Sequence, residues 1–474
     1  MDRLKKMQKD NSNTTNIHNI DLRKFLELLE NEDEIIRIKK NVNTTFELPA
    51  IVSKLDGNKA VIFENVEDKT IPVISNLIGT RKRFAMAIGS KEKNDIHTII
   101  NKSINNMNIK VKTVNDIPYY QNSSNKLSDL PIVTHFENDA GPYITSSIVY
   151  AKDQEKGNQN SSTHRLLKLD DKNMAIRMVE GRHLHKCFMY AKDHGEDLKV
   201  AIVIGVHPAI NIAAAYQASY GIDEMHIANT LLNGNLQLGI NKFSQLLIPA
   251  MSEIVLEGKI LSDKTHEEWM VEMLKTYDFK RQQPIFELEK IRFRNDTIFY
   301  DILPGYSEHR LLMGLPVESK MLDQVKNVVP STLQVLLTDG GSNWLTAVIQ
   351  IKKRVEGESK NALLAAFAAH PSLKIAIVVD DDINPTNPVE VEYAVATRCQ
   401  ADKDMIIIQN AKGSSLDPSS DQVNLLTTKL GIDATATLLK VKERFEIAKI
   451  PGEDNLKLSD YLSEPFSKNF DKAY

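Results

Sequence analysis

The stretch Asn160-Ser161-Ser162-Thr163-His164-Arg165 gathers an amide, hydroxyls, an imidazole and a guanidinium into six residues. Arg177 follows twelve positions later, and then the basic run Arg182-His183-Leu184-His185-Lys186. Guanidinium forks and backbone amides match phosphate oxygens, so this arrangement suits a phosphate-bearing cofactor. A solvated basic strand surface would use the same residues. Further on, Gly221-Ile222-Asp223-Glu224 opens a helix, with Asp223 as its cap and Glu224 placed to stabilise its dipole. The Glu224 carboxylate and the Asn160 amide oxygen together form the oxygen-rich set that a hard cation such as Mg²⁺ or Mn²⁺ prefers. Histidines 164, 183, 185 and 194 cluster nearby, but His at i and i+2 is a weak metal spacing.

Other groups are less suggestive. Gly205-Val206-His207-Pro208-Ala209 reads as a strand running into a Pro-started helix, whose N-terminus favours anions. Glu253 and Glu257 share one face of an expected strand. Paired carboxylates can do acid/base work, yet a structural partnership within the sheet is the favoured reading. Asp380-Asp381-Asp382 reads as a turn or helix start. There is no G-x-G-x-x-G, Walker loop, G-x-S-x-G or H-E-x-x-H, which argues against a plain dinucleotide fold or a zinc protease.

Elements that could position these groups follow from the apolar pattern. Asp21 can cap a helix carrying Leu22, Phe25, Leu26 and Leu29 on one face. Short strands are expected at 35–38, 60–63 and 71–74, a helix at 81–88, and a polar connection at 121–128. From about residue 130 strands dominate, at 143–150, 165–169, 174–178, 200–206, 245–249, 254–260, 285–292 and 297–302. Helices interrupt them near 208–217 and 223–232. This favours a barrel or closed sheet. Beyond about 318, βα alternation predicts a compact α/β domain, with strands at 333–337, 345–351, 373–379 and 405–408 and helices at 361–369 and 389–398. Residues 1–20 are expected to form a mobile tail, and the last dozen to lie on a surface or reach a neighbouring subunit.

A chain of 474 residues with 42% apolar and 26% charged side chains has material for two or three domains. Its net charge of −4 gives no sign of a nucleic-acid partner. Two separated cysteines, Cys187 and Cys399, argue against a disulfide framework and fit a reducing compartment. With no signal-peptide or membrane-span pattern, the cytoplasm is the expected location.

Several segments resemble the UbiD family of prenylated-FMN-dependent decarboxylases. They are Ala60–Val66 (AVIFENV), Asp129–Thr134 (DLPIVT), Gly141–Thr145 (GPYIT), Asn160–Arg165, Gly221–Glu224, Pro249–Gly258 (PAMSEIVLEG), Ala396–Asp402 (ATRCQAD) and Gly413–Pro418 (GSSLDP). The resemblance implies a mixed α+β subunit: an N-terminal α/β domain (21–128), a central flavin-binding split β-barrel (129–317) and a C-terminal α/β oligomerisation domain (318–474). It implies prenylated FMN, supplied by a flavin prenyltransferase, and Mn²⁺ (or Mg²⁺, with K⁺ as a further candidate) held by Asn160 and Glu224. It assigns cofactor contacts to Thr163, His164, Arg165, Arg177, Met178, Val179, Arg182 and His183. Arg165 would also steer the carboxylate of a small-molecule acid.

Two departures stand out. Spacing puts Gly181 where many relatives have a histidine ligand, leaving His183 and His185 out of register. The family's acidic loop is rewritten as Glu267-Glu268-Trp269-Met270-Val271-Glu272, so the acid/base role passes to Glu272 and, less directly, to Glu267. Trp269, Met270, Met273 and Leu274 could instead make a helical apolar stripe with these acids on its wet face. Thr276-Tyr277-Asp278, Arg281-Gln282-Gln283-Pro284, Pro304-Gly305 and Glu308–Gly314 resemble an archaeal branch of the family. Members of that branch make isopentenyl phosphate, in isoprenoid biosynthesis, from a phosphorylated unsaturated acid, for which Lys280, Arg281 or Arg310 could supply positive charge. A 4-hydroxybenzoate-type aromatic acid is the alternative substrate. A non-catalytic flavin-binding partner protein is the alternative function. The resemblance also implies a homo-oligomer, dimer or hexamer.

Overall fold

A computed structural model describes residues 21–90, 95–105, 109–216, 218, 222–441, 444–448 and 450–461. The expected tail at 1–20, Gly221 and the last dozen residues lie outside the described residues.

The helix Leu22–Asn31 starts where expected, with the Asp21 carboxylate accepting from Lys24 N at 2.9 Å, and it buries Leu22, Phe25, Leu26 and Leu29. It flanks a four-stranded sheet ordered Ile35–Ile38, Ala60–Phe63, Val73–Ser75, Phe299–Tyr300. That last strand returns to the N-terminal layer only after the chain has built the central sheet.

The central sheet has nine strands. Its path runs Tyr143–Ile144, Leu166–Lys168, Asn173–Ile176, Arg281–Phe293, Ile254–Glu268, Leu198–Ile204, Ile148–Lys152, Gln159–Thr163, and Asn122–Ser124 also pairs with Arg281–Phe293. The expected connection at 121–128 thus contains a strand. The sheet curls but its path is open, where a closed sheet was an expectation. The edge strand Gln159–Thr163 is covered by helices His183–Asp193, Pro208–Ala215 and Glu224–Leu231, which shields an edge as closure would. The first of these helices was not anticipated, because its basic start masked the buried stripe Leu184, Cys187, Phe188 and Ala191.

The apolar stripe at 269–274 is not helical. Ile254–Glu268 is a strand of 15 residues, lengthened past a register shift between Ile260 and Thr265, and the following loop is closed by a bridge between Val271 and Tyr277. Met270, Val271 and Met273 are buried from that loop.

A helix of 22 residues, Ser307–Val328, leads into the C-terminal region and contains the expected boundary at 317/318. Its Leu311, Leu312 and Leu315 join the core of the first two layers, whereas Met321, Leu322 and Val325 join a separate C-terminal core. The C-terminal sheet is ordered Thr332–Leu337, Thr346–Ile351, Ile375–Val379, Leu426–Ala434, Met405–Lys412. Leu426–Ala434, unanticipated, lies between Ile375–Val379 and Met405–Lys412.

Candidate active site

The edge strand Gln159–Thr163 and the residues just after it carry two polar clusters. At one end, Arg165 is almost wholly enclosed by three carboxylates. Its Nε and Nη2 donate to Glu268 at 2.7 and 3.0 Å, its Nη2 also donates to Asp278 at 3.1 Å, and its Nη1 donates to Glu272. Burial opposes the charge, but the carboxylates of Glu272 and Glu268 outweigh it and hold the guanidinium above its ordinary value. Of the three acids, Glu268 and Asp278 are 1% and 4% exposed at the side chain, whereas Glu272 is 20% exposed. Glu272 is therefore the acid able to exchange a proton with a bound molecule. It also lines a cavity of about 120 Å³ with Thr276, Asp278, Ser415, Leu416 and Pro418, between the acidic loop and the C-terminal GSSLDP segment.

Glu267 does not join this group. It pairs with Lys280 at 3.6 Å, with 48% of its side chain exposed. Alternation along the strand explains the difference: Glu267 and Glu268 point to opposite faces, and the buried face belongs to Glu268. Tyr143 donates to Glu268 at 3.0 Å and fixes it further. Glu268, Asp278 and Tyr143 were missed as site residues, and the uniformly polar run 265–268 carries no alternation that could have found the first.

At the other end, Asn160, His183 and Glu224 converge. Asn160 Nδ2 lies 3.2 Å from Glu224 Oε1 and 3.4 Å from His183 Nδ1, and His183 Nδ1 lies 3.7 Å from Glu224 Oε1. Ser161 N donates to Glu224 Oε2 at 2.9 Å. Adjacent ligands of an octahedral divalent cation, each at about 2.1 Å, sit roughly 3 Å apart, so these separations suit such an ion. His183, the first residue of its helix, reaches this cluster. His185 instead lies with its Nδ1 3.4 Å from Gly181 N. Among the described residues no three His, Cys, Asp or Glu side chains form a metal cluster; here the third member is an amide.

The hydrogen-bond chain behind Asn160 decides how that amide turns. His164 Nδ1 lies 2.8 Å from the carbonyl of Arg177, so it must carry the proton. Burial pushes this imidazole down to about 4 and keeps it neutral, which leaves Nε2 as an acceptor. Ser162 Oγ, 2.8 Å away, spends its one hydrogen there. The structure places Asn160 Oδ1 3.0 Å from Ser162 Oγ, but a hydroxyl hydrogen committed to His164 leaves Ser162 Oγ better suited to accept from the amide NH₂. Amide nitrogen and oxygen are interchangeable in shape, so a turn of the amide would bring Oδ1 to face His183 and Glu224, as a cation requires.

Between the clusters, Thr163 pairs with Ile148 in the sheet, and Arg177 donates from its backbone to Arg165 O at 3.1 Å. Met178 N donates to Gln283 at 2.8 Å, and its side chain is buried. Val179 is exposed, and Arg182 is the residue before the helix His183–Asp193. These positions make a rim of backbone and guanidinium groups next to a helix N-terminus, chemistry that suits a flavin phosphate. Elsewhere, Glu253 is held by Arg23 and Arg294, and Glu257 by Arg292, at 2.8–3.1 Å. Asp380 and Asp382 are both held by Arg398. These are structural pairs.

Known proteins share this fold. Models of 3-octaprenyl-4-hydroxybenzoate carboxy-lyase (UbiD) match in three parts, the N-terminal domain over 26–103, the Rift-related domain over 109–307 and the C-terminal domain over 310–434. The chain belongs to the UbiD family. It is 44% identical to anhydromevalonate phosphate decarboxylase of Methanocaldococcus jannaschii over 86% of this chain and 95% of that one. It is 39% identical to the Methanothermobacter thermautotrophicus protein of the same name, over 90% and 99%. Among solved structures, the UbiD-class enzyme HmfF of Pelotomaculum thermopropionicum, in complex with FMN, superposes with a TM-score of 0.90 at 38% identity, covering 93% of this chain and all of that one. An evolved dimeric form of HmfF, in complex with prFMN, gives 0.86 at 35% identity.

Proposed function

We propose that the protein is a prenylated-FMN-dependent decarboxylase that converts trans-anhydromevalonate 5-phosphate to isopentenyl phosphate and CO₂. The observation that carries this reading is the enclosure of Arg165 by Glu268, Glu272 and Asp278, in a chain up to 44% identical to anhydromevalonate phosphate decarboxylases. Breaking a C–CO₂ bond leaves an electron pair on carbon, and prenylated FMN supplies the acceptor for it. Thr163, His164, Arg165, Arg177, Met178, Val179 and Arg182 would hold that cofactor. Asn160, Glu224 and His183 would hold Mn²⁺ (or Mg²⁺) against its phosphate.

The side chains of this chain do the rest. Arg165 has five N–H donors, and its three carboxylates engage four of them. A two-pronged grip on the substrate carboxylate therefore displaces Glu272 from Nη1. That displacement frees Glu272 to take up a proton from solvent and deliver it to the carbon that loses CO₂, while Glu268 keeps the guanidinium in place. The loop and Ser415–Pro418 wall the cavity beside Glu272 and would limit the access of water to the reacting carbon.

No helix among the described residues is long and apolar enough to cross a membrane. We place the enzyme in the cytoplasm as a homo-oligomer.

The test is CO₂ release by protein co-produced with a flavin prenyltransferase and supplied with Mn²⁺. The expected result is turnover of the phosphorylated unsaturated acid, with isopentenyl phosphate as product. Turnover of 4-hydroxybenzoate-type acids instead would move the substrate to the aromatic class. No CO₂ from any acid would make the protein a non-catalytic flavin binder.

A further inference from the structure

Arg310 is a buried cation with loose partners. Its side chain is 14% exposed. Its Nη1 donates to Asp339 O at 3.3 Å, its Nη2 to Ser307 Oγ at 3.4 Å, and Asp56 lies 3.7 Å away. Its Nε is buried without a partner among the described residues. Other guanidiniums in this molecule are held far more tightly: Arg81 grips Glu318 with two bonds of 2.8 Å, and Arg23 grips Glu253 in the same way. A buried donor left unmade is costly, and Asp56 is itself engaged in accepting Ser307 N at 2.9 Å.

A second cation and a neutral donor lie beside it. Lys275 Nζ sits 3.6 Å from the Tyr306 ring centroid. Burial and the charge of Arg310 lower the Lys275 ammonium from its usual range, as expected for two cations in one small volume. His309 Nδ1 accepts from Gly305 N at 3.1 Å, so its remaining proton sits on Nε2 as a donor. The loop and the helix start are pressed together at Gly305. A Cβ there would come within 2.8 Å of Lys275 Cγ and 2.9 Å of Glu272 O. Lys275 N in turn donates to Glu272 O at 2.9 Å, and the backbone at Lys275 takes φ +61°. The turn that presents Glu272 to the substrate therefore also fixes Lys275.

We propose that Lys275, His309 and Arg310 form the pocket that binds the substrate's phosphate, and so select a phosphorylated acid; this rests on the function proposed above. The dianion would find two cations, the His309 Nε2 proton and the Ser307 hydroxyl, with Asp56 as the opposing charge. The other basic candidates near the loop are engaged elsewhere. Arg281 donates to Asp278 at 2.9 Å, and Lys280 pairs with Glu267 and lies 4.1 Å from the Trp269 ring centroid.

The test is calorimetric binding of isopentenyl phosphate and of isopentenol to the holoenzyme, alongside CO₂ release. Wild type is expected to bind the phosphate ester and discriminate against the alcohol. Arg310→Met and Lys275→Met should each weaken ester binding by about ten- to a hundredfold, the effect of one charged hydrogen bond, and Lys280→Met should leave it unchanged. Lys275 is exposed, so its variant tests the pocket even if Arg310→Met folds poorly. Equal binding of ester and alcohol by wild type, or full ester binding by Lys275→Met, would overturn the proposal. If ester binding depends on Lys275 while wild type releases no CO₂ from the phosphorylated acid, the pocket stands and the proposed reaction falls.

Discussion

The two ends of the segment Asn160–Arg165 are built on opposite principles. At Arg165 the protein satisfies itself, with one cation gripped by three carboxylates at contacts no longer than 3.1 Å. At Asn160 the three convergent groups stand 3.2–3.7 Å apart and include two that bear or can bear lone pairs toward a common point. The first cluster is complete without a ligand. The second gains its natural closure from a cation. One strand edge thus carries both a preorganised charge and an open set of donors that a cation would close. A site can be self-satisfied around its buried charge and open where a cation would bind.

The largest effect should come from Glu272→Gln. It removes the proposed proton donor and leaves shape and cofactor pocket intact, so turnover should fall by about 10²–10⁴-fold while the flavin absorbance of the holoenzyme is kept. Turnover near that of wild type would remove Glu272 from the reaction. Glu268→Gln attacks the same cluster from its buried side. Arg165 keeps Glu272 and Asp278, so the expected cost is about 2 kcal/mol of stability, read as a lower denaturant midpoint, together with a smaller fall in turnover than Glu272→Gln gives. If turnover falls while stability is untouched, Glu268 has a direct chemical role beyond holding Arg165.

These two neighbouring acids also show how far the sequence could be read. The central strands, the capped helix at Leu22 and the Asn160–Glu224 pair were legible, because apolar runs, a cap residue and an amide with a carboxylate each have a local signature. Glu268 was not. Counting back five positions from Glu272 lands on Glu267, and only pairing with Arg281–Pro284 shows that this stretch is a strand with Glu268 facing inward. His183 was ambiguous for a similar reason. Two histidines two apart lie about 200° around a helix from each other, so only the position of the helix start decides which one meets Glu224. The loop at 269–274 looked helical because Met270 and Met273 are indeed buried, although a turn and a bridge rather than a helix bury them.

The receptive end is probed by Ser162→Ala. Without the hydroxyl, nothing relays the acceptor at His164 Nε2 to the Asn160 amide, and the amide can turn its NH₂ toward His183 and Glu224. Mn²⁺ affinity should fall by about 10–100-fold, the usual cost of losing an outer partner of a metal ligand, measured by Mn²⁺ titration followed by electron paramagnetic resonance. The Arg165 cluster shares none of these bonds, so the denaturant midpoint without metal should stay close to wild type. An unchanged Mn²⁺ affinity would mean that the amide orientation is set some other way.

The smallest effect is expected from Glu267→Gln, and that is its value. Glu267 is adjacent in sequence to the most buried acid of the site and five positions from the proposed proton donor, yet it faces water. Its partner Lys280 is 59% exposed and lies 3.6 Å away, so the pair is a surface one, worth no more than about 1 kcal/mol. Turnover should therefore stay within about twofold of wild type, and the small loss of stability should shrink further in high salt. A fall in turnover comparable to that of Glu272→Gln would mean that the loop rearranges on binding substrate and carries Glu267 inward, reversing the face assignment on which the Glu268 argument depends. A flat result, set beside a clear loss in Glu268→Gln, would establish that strand alternation rather than sequence spacing selects the acids that hold Arg165.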